Sequence, residues 1–467
     1  MISRSLAEIY EMLGAQAVSE ATNIQPGVRI HGVSTDTRSI EPGTLFVPLV
    51  GERFDGHAYA AEAYERGAAA AIWQHDRPHP PEGMPIIRVK DTLTALQKLA
   101  NAYRRQLPVR IVGITGSNGK TTTKDLVAAV LGSTYNVHKT KGNFNNHIGL
   151  PLTLLQLGEE TEFAVVEMGM SGRGEIELLS KLAEPEAAII TMIGESHLLQ
   201  LGSREEIARA KVEIISGMPE GALFIYNADE PLIEMAIQEA SLPQGLRCVR
   251  FGRSADAELQ PTGIRMEADG AYFRMNRPEY PELFIPLLGE HNVINALAAV
   301  AVGEAFGVSP SAVAAGLASL QMTSMRIEKL TGATGLTVLN DAYNASPASM
   351  RAALQLTEQL SGFGRKYVVL GDMLELGEHE EHYHREIGRL LAPERIDGVF
   401  TFGRLGSLIA EEAAKAYPSG AVRAYDDKEQ LSAELAVLAN PEDLVLVKGS
   451  RGMRLEQVVN RLLAESP

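Results

Sequence analysis

RIVGITGSNGKTTTKDL, residues 110–126, carries three signals in a row: an apolar run, a turn of small residues, and a Gly-Lys-Thr that opens a helical pattern. Gly116, Ser117, Asn118 and Gly119 let the backbone close round a phosphate, so that the loop amides and the next helix N-terminus point at the anion. Lys120 would reach the β- and γ-phosphates, Thr121 would place a hydroxyl on Mg²⁺, and Thr122 follows in the same turn. The usual spacing is G-x-x-x-x-G-K-[ST]. Here Ile114 stands where the first glycine belongs and Gly113 precedes it. The alternative is a plain glycine turn at a strand–helix junction; a strand before, a helix after and Gly-Lys-Thr together favour a phosphate loop. Phosphate binding alone does not specify a reaction.

Outward from that stretch, the chain divides into three segments. Residues 108–320 alternate strand and helix: RIVGIT, FAVVEMG, AAIITMIG and ALFIYNAD are short apolar runs, and the alanine-rich 292–306 reads as a buried helix. This predicts a parallel sheet wound with helices, a central phosphate-loop domain. Residues 1–107 mix short strands and turns with helices near 58–67 and 92–106, a small α/β domain ending at Pro108. Residues 321–467 repeat the alternation through GLTVLNDAY, KYVVLGDM, GVFTFG, AVRAY and DLVLVKGS, with helices near 347–360, 380–391, 404–416 and 428–438. That is a doubly wound, Rossmann-like pattern, although no G-x-G-x-x-G follows its first strand, so a dinucleotide reading has no support. The fold class is therefore three-domain α/β.

A chain of 467 residues with 45% apolar and 22% charged residues suits a soluble protein of two to four domains. Its net charge of −16 argues against a nucleic-acid or anionic-membrane surface. The single cysteine, Cys248, excludes an intrachain disulfide and a multi-cysteine metal site, and suits a reducing, cytoplasmic compartment. In MISRSLAEIYEMLG the apolar Leu6, Ile9, Tyr10 and Leu13 recur at helical spacing, which reads as an amphipathic helix rather than a signal peptide. No run of eighteen apolar residues is present to insert in a membrane.

Two strand ends add chemistry to the loop. Glu167 closes AVVEMGM and His197 follows IITMIG, and in a parallel sheet both come out at the carboxyl-end crevice beside the phosphate loop. A carboxylate and an imidazole there would hold Mg²⁺, although magnesium prefers oxygen ligands. In the helical stretch 204–217, Lys211 shares its face with Ile207, Ile214 and Ile215. Either its ammonium snorkels to the surface, or burial lowers its proton affinity and the amine reacts with CO₂ to give an anionic carbamate that orients a metal.

TGSNGKTT (115–122), KGNFNNHIGLPLT (141–153), EMG (167–169), AKVEI (210–214), LNDAYNASPASM (339–350) and LGDMLELG (370–377) occur in that order, and the chain resembles the Mur ligase family along essentially its whole length. The resemblance implies a first domain for the UDP end of a nucleotide-sugar peptide, a second for ATP, and a third that closes on both with the incoming amine. It implies ATP-driven addition of D-alanyl-D-alanine to UDP-MurNAc-tripeptide through an acyl phosphate and a tetrahedral intermediate, with two Mg²⁺ ions, carbamylated Lys211, and a monomer. The D-A-Y-N-A-S-P segment and the absence of a D-N-P-R signature set this apart from the sister enzyme that adds the third stem residue. A folylpolyglutamate ligase is the more distant alternative, and a nucleotide-switched binding protein would have no use for Glu167, His197 and Lys211 together.

By the same resemblance, Ser34, Thr35, Asp36 and Arg38 contact the uridine or diphosphate, and Thr140, Asn143, Asn145 and Asn146 hold the sugar-peptide near the γ-phosphate. Asn292 and Asn295 touch adenine; Asn292 would also suit a helix N-cap. Arg326 reaches the γ-phosphate on closure, Asp341 binds the ribose, and Tyr343 and Asn344 contact nucleotide or substrate. Ser346 stands where related motifs carry asparagine. Lys448 and Arg451, after the last strand, either hold the dipeptide carboxylate or the third stem residue, or belong to a solvated loop.

Overall fold

The computed structural model describes residues 1–14, 17, 27–267, 269–321 and 327–464. Arg326 lies outside the described residues. The opening stretch forms the strand Arg110–Thr115 and the helix Lys120–Gly132. The strand is an inner member of a six-stranded, wholly parallel sheet, ordered Arg247–Phe251, Leu223–Asn227, Ala187–Ile190, Arg110–Thr115, Phe163–Glu167, Val137–Lys139. Helices cover both faces, which is why these strands are apolar throughout rather than alternating. Phe163 and Val165 pack in the cluster that also holds Leu126 and Val127 of the loop's helix, while Ala164 and Val166 face the opposite cluster. The same two-residue period brings Glu167 out on the phosphate-loop side.

The first segment builds a four-stranded parallel sheet, Val33–Ser34, Leu45–Phe46, Ala70–Gln74 and Ile86–Val89, with a separate antiparallel pair, Ser3–Ser5 and Arg29–His31. Its helix Leu6–Leu13 buries Leu6, Ile9 and Leu13 as the spacing predicts, capped by Ser5. One apolar cluster runs from these residues through Leu96 and Leu99 to Leu150 and Ile190 of the central segment, so the core is continuous across residue 107. The last segment is a six-stranded sheet, Glu328–Thr331, Thr337–Asp341, Leu444–Lys448, Lys366–Gly371, Gly398–Phe402, Val422–Tyr425, parallel except for its first, antiparallel edge. Separate apolar clusters fill its two faces.

Three of the elements expected from the sequence differ. Residues 261–285 are not part of the strand–helix alternation but an antiparallel three-stranded sheet, Pro261–Glu267, Gly270–Met275 and Leu283–Ile285. Gly270 permits its first turn with φ of 155°, where a Cβ would press on the Ile285 carbonyl. The helix over 204–217 is α-helical only from Arg204 to Val212 and tightens to a 3₁₀ turn over Glu213–Gly217. Asn292 is not an N-cap: the helix Glu290–Ala305 starts earlier, with Gly289 at the cap, and the Asn292 amide donates back to the Leu288 carbonyl. Among the described residues no helix is long and apolar enough to cross a membrane.

Candidate active site

The strand runs on to Thr115, so Gly113 and Ile114 belong to the sheet and the turn proper is Gly116–Gly119. The displaced glycine has its own reason: a Cβ on Gly113 would meet Met168 Cε at 3.1 Å. Gly116 and Gly119 have φ of 150° and 81°. Both φ values strain any other residue; a Cβ on the first would also fall 1.8 Å from Thr191 Oγ1, whereas one on the second would only press the Asn295 amide oxygen at 3.0 Å. The Ser117 N–H donates to the Met192 carbonyl (2.9 Å) and Thr191 Oγ1 to the Asn118 carbonyl (2.5 Å), tying the turn to the next strand's end. Lys120 Nζ folds over the turn and donates to the Gly116 carbonyl at 2.7 Å.

Glu167 is buried directly beneath the loop. Thr121 Oγ1 donates to its Oε2 and Asn145 Nδ2 to its Oε1, each at 2.8 Å. Its own N–H donates to Thr140 Oγ1 at 3.0 Å. The structure thus brings together Thr121, Thr140, Asn145 and Glu167. Asn146 is occupied differently: its Oδ1 accepts from the N–H groups of Ile148 and Gly149 and so caps the helix Gly149–Leu155. Asn143 is exposed. Lys124, which the sequence reading passed over, is wholly buried and donates to the Thr140 carbonyl at 3.1 Å, with Asp125 3.4 Å away. A lysine in the first turns of a helix reads as a surface residue, and only the packing of Asp125 and Thr140 around it shows otherwise.

Lys211 is 1% exposed, among Ile207, Ile214 and Ile215, so it does not snorkel. Burial, and secondarily the charge of Lys120, holds its ammonium well below the ordinary lysine range. No ion pair to it occurs among the described residues. His197 sits in the left-handed region, φ 67°, at the head of the short helix Leu198–Leu201. Its Nδ1 lies 2.8 Å from Glu375 Oε2 of the last segment, an ion-pair contact bent away from a straight hydrogen bond.

A cleft of about 1110 Å³, counting its open mouth, runs from the loop to the last segment. Asn118, Gly119, Thr122, Asn292, Asn295, Asp341, Asn344 and Lys448 line it, all of them expected on nucleotide or substrate. Asn118 Nδ2 meets Ser346 Oγ at 3.1 Å across the two sheets, and Ser346 also caps the helix Pro347–Gln359. Lys448 requires a correction: it is the last residue of a central strand, 2% exposed, and donates to Asp341 Oδ2 (2.5 Å) and the Asn344 carbonyl (3.0 Å), so it is not part of a solvated loop. Arg451 is largely exposed and pairs with Glu456 at 3.3 Å, and Tyr343 is half-buried beside Asp341. Thr191, Asn227 and Glu230 also line the cleft and were missed. Asn227 ends the strand Leu223–Asn227 and donates to the Thr191 carbonyl, the same strand-end position that singled out Glu167. Burial pushes the Glu230 carboxyl up to about 7, against the nearby Arg204 charge.

The first-segment residues lie away from this cleft. Ser34 Oγ donates to the Asp36 carbonyl, and Asp36 caps the turn Thr37–Ser39 while pairing with Arg38 at 2.7 Å. Thr35 precedes that turn and is half-buried, and Arg38 is exposed.

This phosphate loop, with a second sheet placed across a cleft from it, recurs in known proteins. Residues 29–104 match the catalytic domain of the Mur ligase family, residues 114–303 the Mur ligase middle domain, and residues 325–451 the Mur ligase glutamate ligase domain. The chain belongs to the Mur ligase family. It is 51% identical, over the full length of both chains, to the UDP-N-acetylmuramoyl-tripeptide–D-alanyl-D-alanine ligase of Bacillus subtilis (strain 168). Among solved structures it is similar to MurF from Acinetobacter baumannii (TM-score 0.87, 31% identity, 99% of each chain). It also resembles the MurF ligase of Thermotoga maritima in complex with ADP (TM-score 0.78, 28% identity, 94% of this chain and 98% of that one).

Proposed function

We propose that this protein is an ATP-dependent ligase that adds D-alanyl-D-alanine to UDP-MurNAc-tripeptide, the last stem-building step of peptidoglycan synthesis in the cytoplasm. The observation that carries the reading is full-length identity of 51% to an enzyme named for that reaction. The cleft that gathers Asn118, Gly119, Asn295 and Asp341 supports it as the nucleotide site.

A carboxylate is a poor electrophile, and the ligase overcomes this in two transfers. The terminal carboxylate oxygen of the tripeptide attacks the γ-phosphorus, the bond to the β–γ bridging oxygen breaks, and ADP leaves an acyl phosphate. The dipeptide amine then attacks the carbonyl carbon, sheds its proton, and the tetrahedral intermediate collapses to amide and phosphate. Loop amides at Gly116–Gly119, Lys120 and Arg326 hold the transferring phosphoryl group by position and charge. Asn292 and Asn295 face the adenine, and Asp341, with Tyr343 beside it, the ribose. Thr140, Asn143, Asn145 and Asn146 line the approach of the sugar-peptide, whose uridine end meets Ser34, Thr35, Asp36 and Arg38. Asn344, Lys448 and Arg451 stand nearest the incoming dipeptide.

The donor set fits a hard divalent cation. Thr121 and Glu167 already bring their oxygens together at 2.8 Å, but a charged Lys211 would repel a metal. A neutral Lys211 amine adding to CO₂, with loss of one proton, yields a carbamate and reverses that sign. Thr121 would then hold the nucleotide's Mg²⁺, and Glu167, His197 and carbamylated Lys211 a second, which would screen the repulsion between carboxylate and phosphate.

The test is phosphate release with UDP-MurNAc-tripeptide plus D-Ala-D-Ala, against single amino acids and glutamate. Release is expected with the dipeptide; release with a free amino acid but not the dipeptide overturns the assignment.

A further inference from the structure

Six non-glycine residues adopt left-handed backbone among the described residues: His79, Glu184, His197, Ile327, Glu375 and Arg454. Two of them meet. His197, φ 67°, heads a four-residue helix of the central segment, and Glu375, φ 65°, lies in the L-G-D-M-L-E-L-G loop of the last segment. Such conformations are strained unless the surroundings impose them, and they concentrate where a side chain must be aimed. Here each aims at the other, with Nδ1 and Oε2 2.8 Å apart. The backbones dock as well. The Leu199 N–H donates to the Glu375 carbonyl at 3.3 Å, and a Cβ on Gly377 would lie 3.2 Å from Leu199 Cα. Arg351 adds a second tie across the same seam, 3.5 Å from Glu195.

Stability does not account for this contact. The Glu375 side chain is 51% exposed, and an ion pair so exposed adds little to stability. Orientation does account for it. A neutral imidazole carries one N–H and one lone pair; a carboxylate 2.8 Å from Nδ1 favours the N–H there by charge, although the contact is too bent for a hydrogen bond, and so leaves the lone pair on Nε2. Nε2 of His197 makes no hydrogen bond among the described residues.

We propose that Glu375 is a positioning residue for the metal site: reaching in from the last segment, it fixes the ring of His197 at Nδ1 so that Nε2 is presented to the metal ion. This rests on the reading of His197 as a metal ligand given above. Because ligand and orienting carboxylate come from different sheets, the site is complete only when the last segment is docked. Metal binding and docking therefore favour each other by the same factor.

Mn²⁺ serves as the probe, titrated by electron paramagnetic resonance into the full-length protein with ADP, for wild type, His197→Ala, Glu375→Ala and Glu375→Gln. Glu375→Ala is expected to weaken the site that His197→Ala weakens by about 10–100-fold, with ADP affinity unchanged. Glu375→Gln keeps an oxygen that accepts from Nδ1 and preserves the fold, and falls between. In turnover assays the KM for Mn²⁺ rises while the KM for ATP holds. Wild-type Mn²⁺ affinity in both Glu375 variants, with His197→Ala impaired, overturns the positioning role alone. Wild-type Mn²⁺ affinity in His197→Ala overturns the ligand role and the positioning role together.

Discussion

Lys448 donates its ammonium to Asp341 at 2.5 Å on the wall of the cleft, the two residues closing adjacent parallel strands, and both are buried. The registered neighbours Asp341 and Lys448 thus form one ion pair, so a change at either residue acts on both. Removing one partner of such a pair leaves the other charge buried alone, which costs about 3–5 kcal/mol, whereas replacing both by apolar residues is close to neutral. Lys448→Met is therefore expected to lose on the order of 3 kcal/mol of unfolding free energy in urea titrations. The double variant Lys448→Met with Asp341→Leu recovers most of it. Equal losses in the single and double variants would show that the pair is not coupled.

That pair marks the boundary of what was legible in the sequence. Local rules reached far: a strand-end position found Glu167, helical spacing put Lys211 on an apolar face, and Gly-Lys-Thr located the loop. Each depends on residues within one turn or one strand. Lys448 and Asp341 are 107 positions apart, and their pairing depends on strand order. Asn146 reads as a ligand and its cap role does not show, because capping and binding ask for the same amide. The sheet over 261–285 was missed because its alternation is short and interrupted by a bulge near Pro261. Lys124 was hidden by its own residue type, since lysines are almost never buried unless paired.

Glu230 gives the cleft a pH signature. Its carboxyl, ordinarily near 4.5, is pushed up to about 7 by burial. Between those values the folded state holds a proton that the unfolded chain has released, so stability falls as pH rises through that window. The slope from one proton is at most about 1.4 kcal/mol per pH unit. Glu230→Gln should flatten the decline in melting temperature between pH 5 and 7 relative to wild type, a window of roughly the shift just given. An unchanged pH profile would mean that Arg204, 3.3 Å away, keeps the carboxylate ionised.

Lys211 sets function against stability. An amine only 1% exposed with no ion pair among the described residues pays desolvation, and a polar group buried without a partner costs about 1–3 kcal/mol. Methionine retains the apolar stem among Ile207, Ile214 and Ile215 and removes the polar end. In CO₂-depleted buffer without nucleotide, Lys211→Met should therefore be more stable than wild type by roughly 1–3 kcal/mol while losing ligase activity. Lys211→Ala leaves room where the carbamate would stand, and a short added carboxylate should restore part of the activity there but none in Lys211→Met. Acidified wild-type protein should lose the mass of CO₂. Full activity in Lys211→Ala without any additive would remove the carbamate from the mechanism, and a less stable Lys211→Met would mean that the buried amine is satisfied after all.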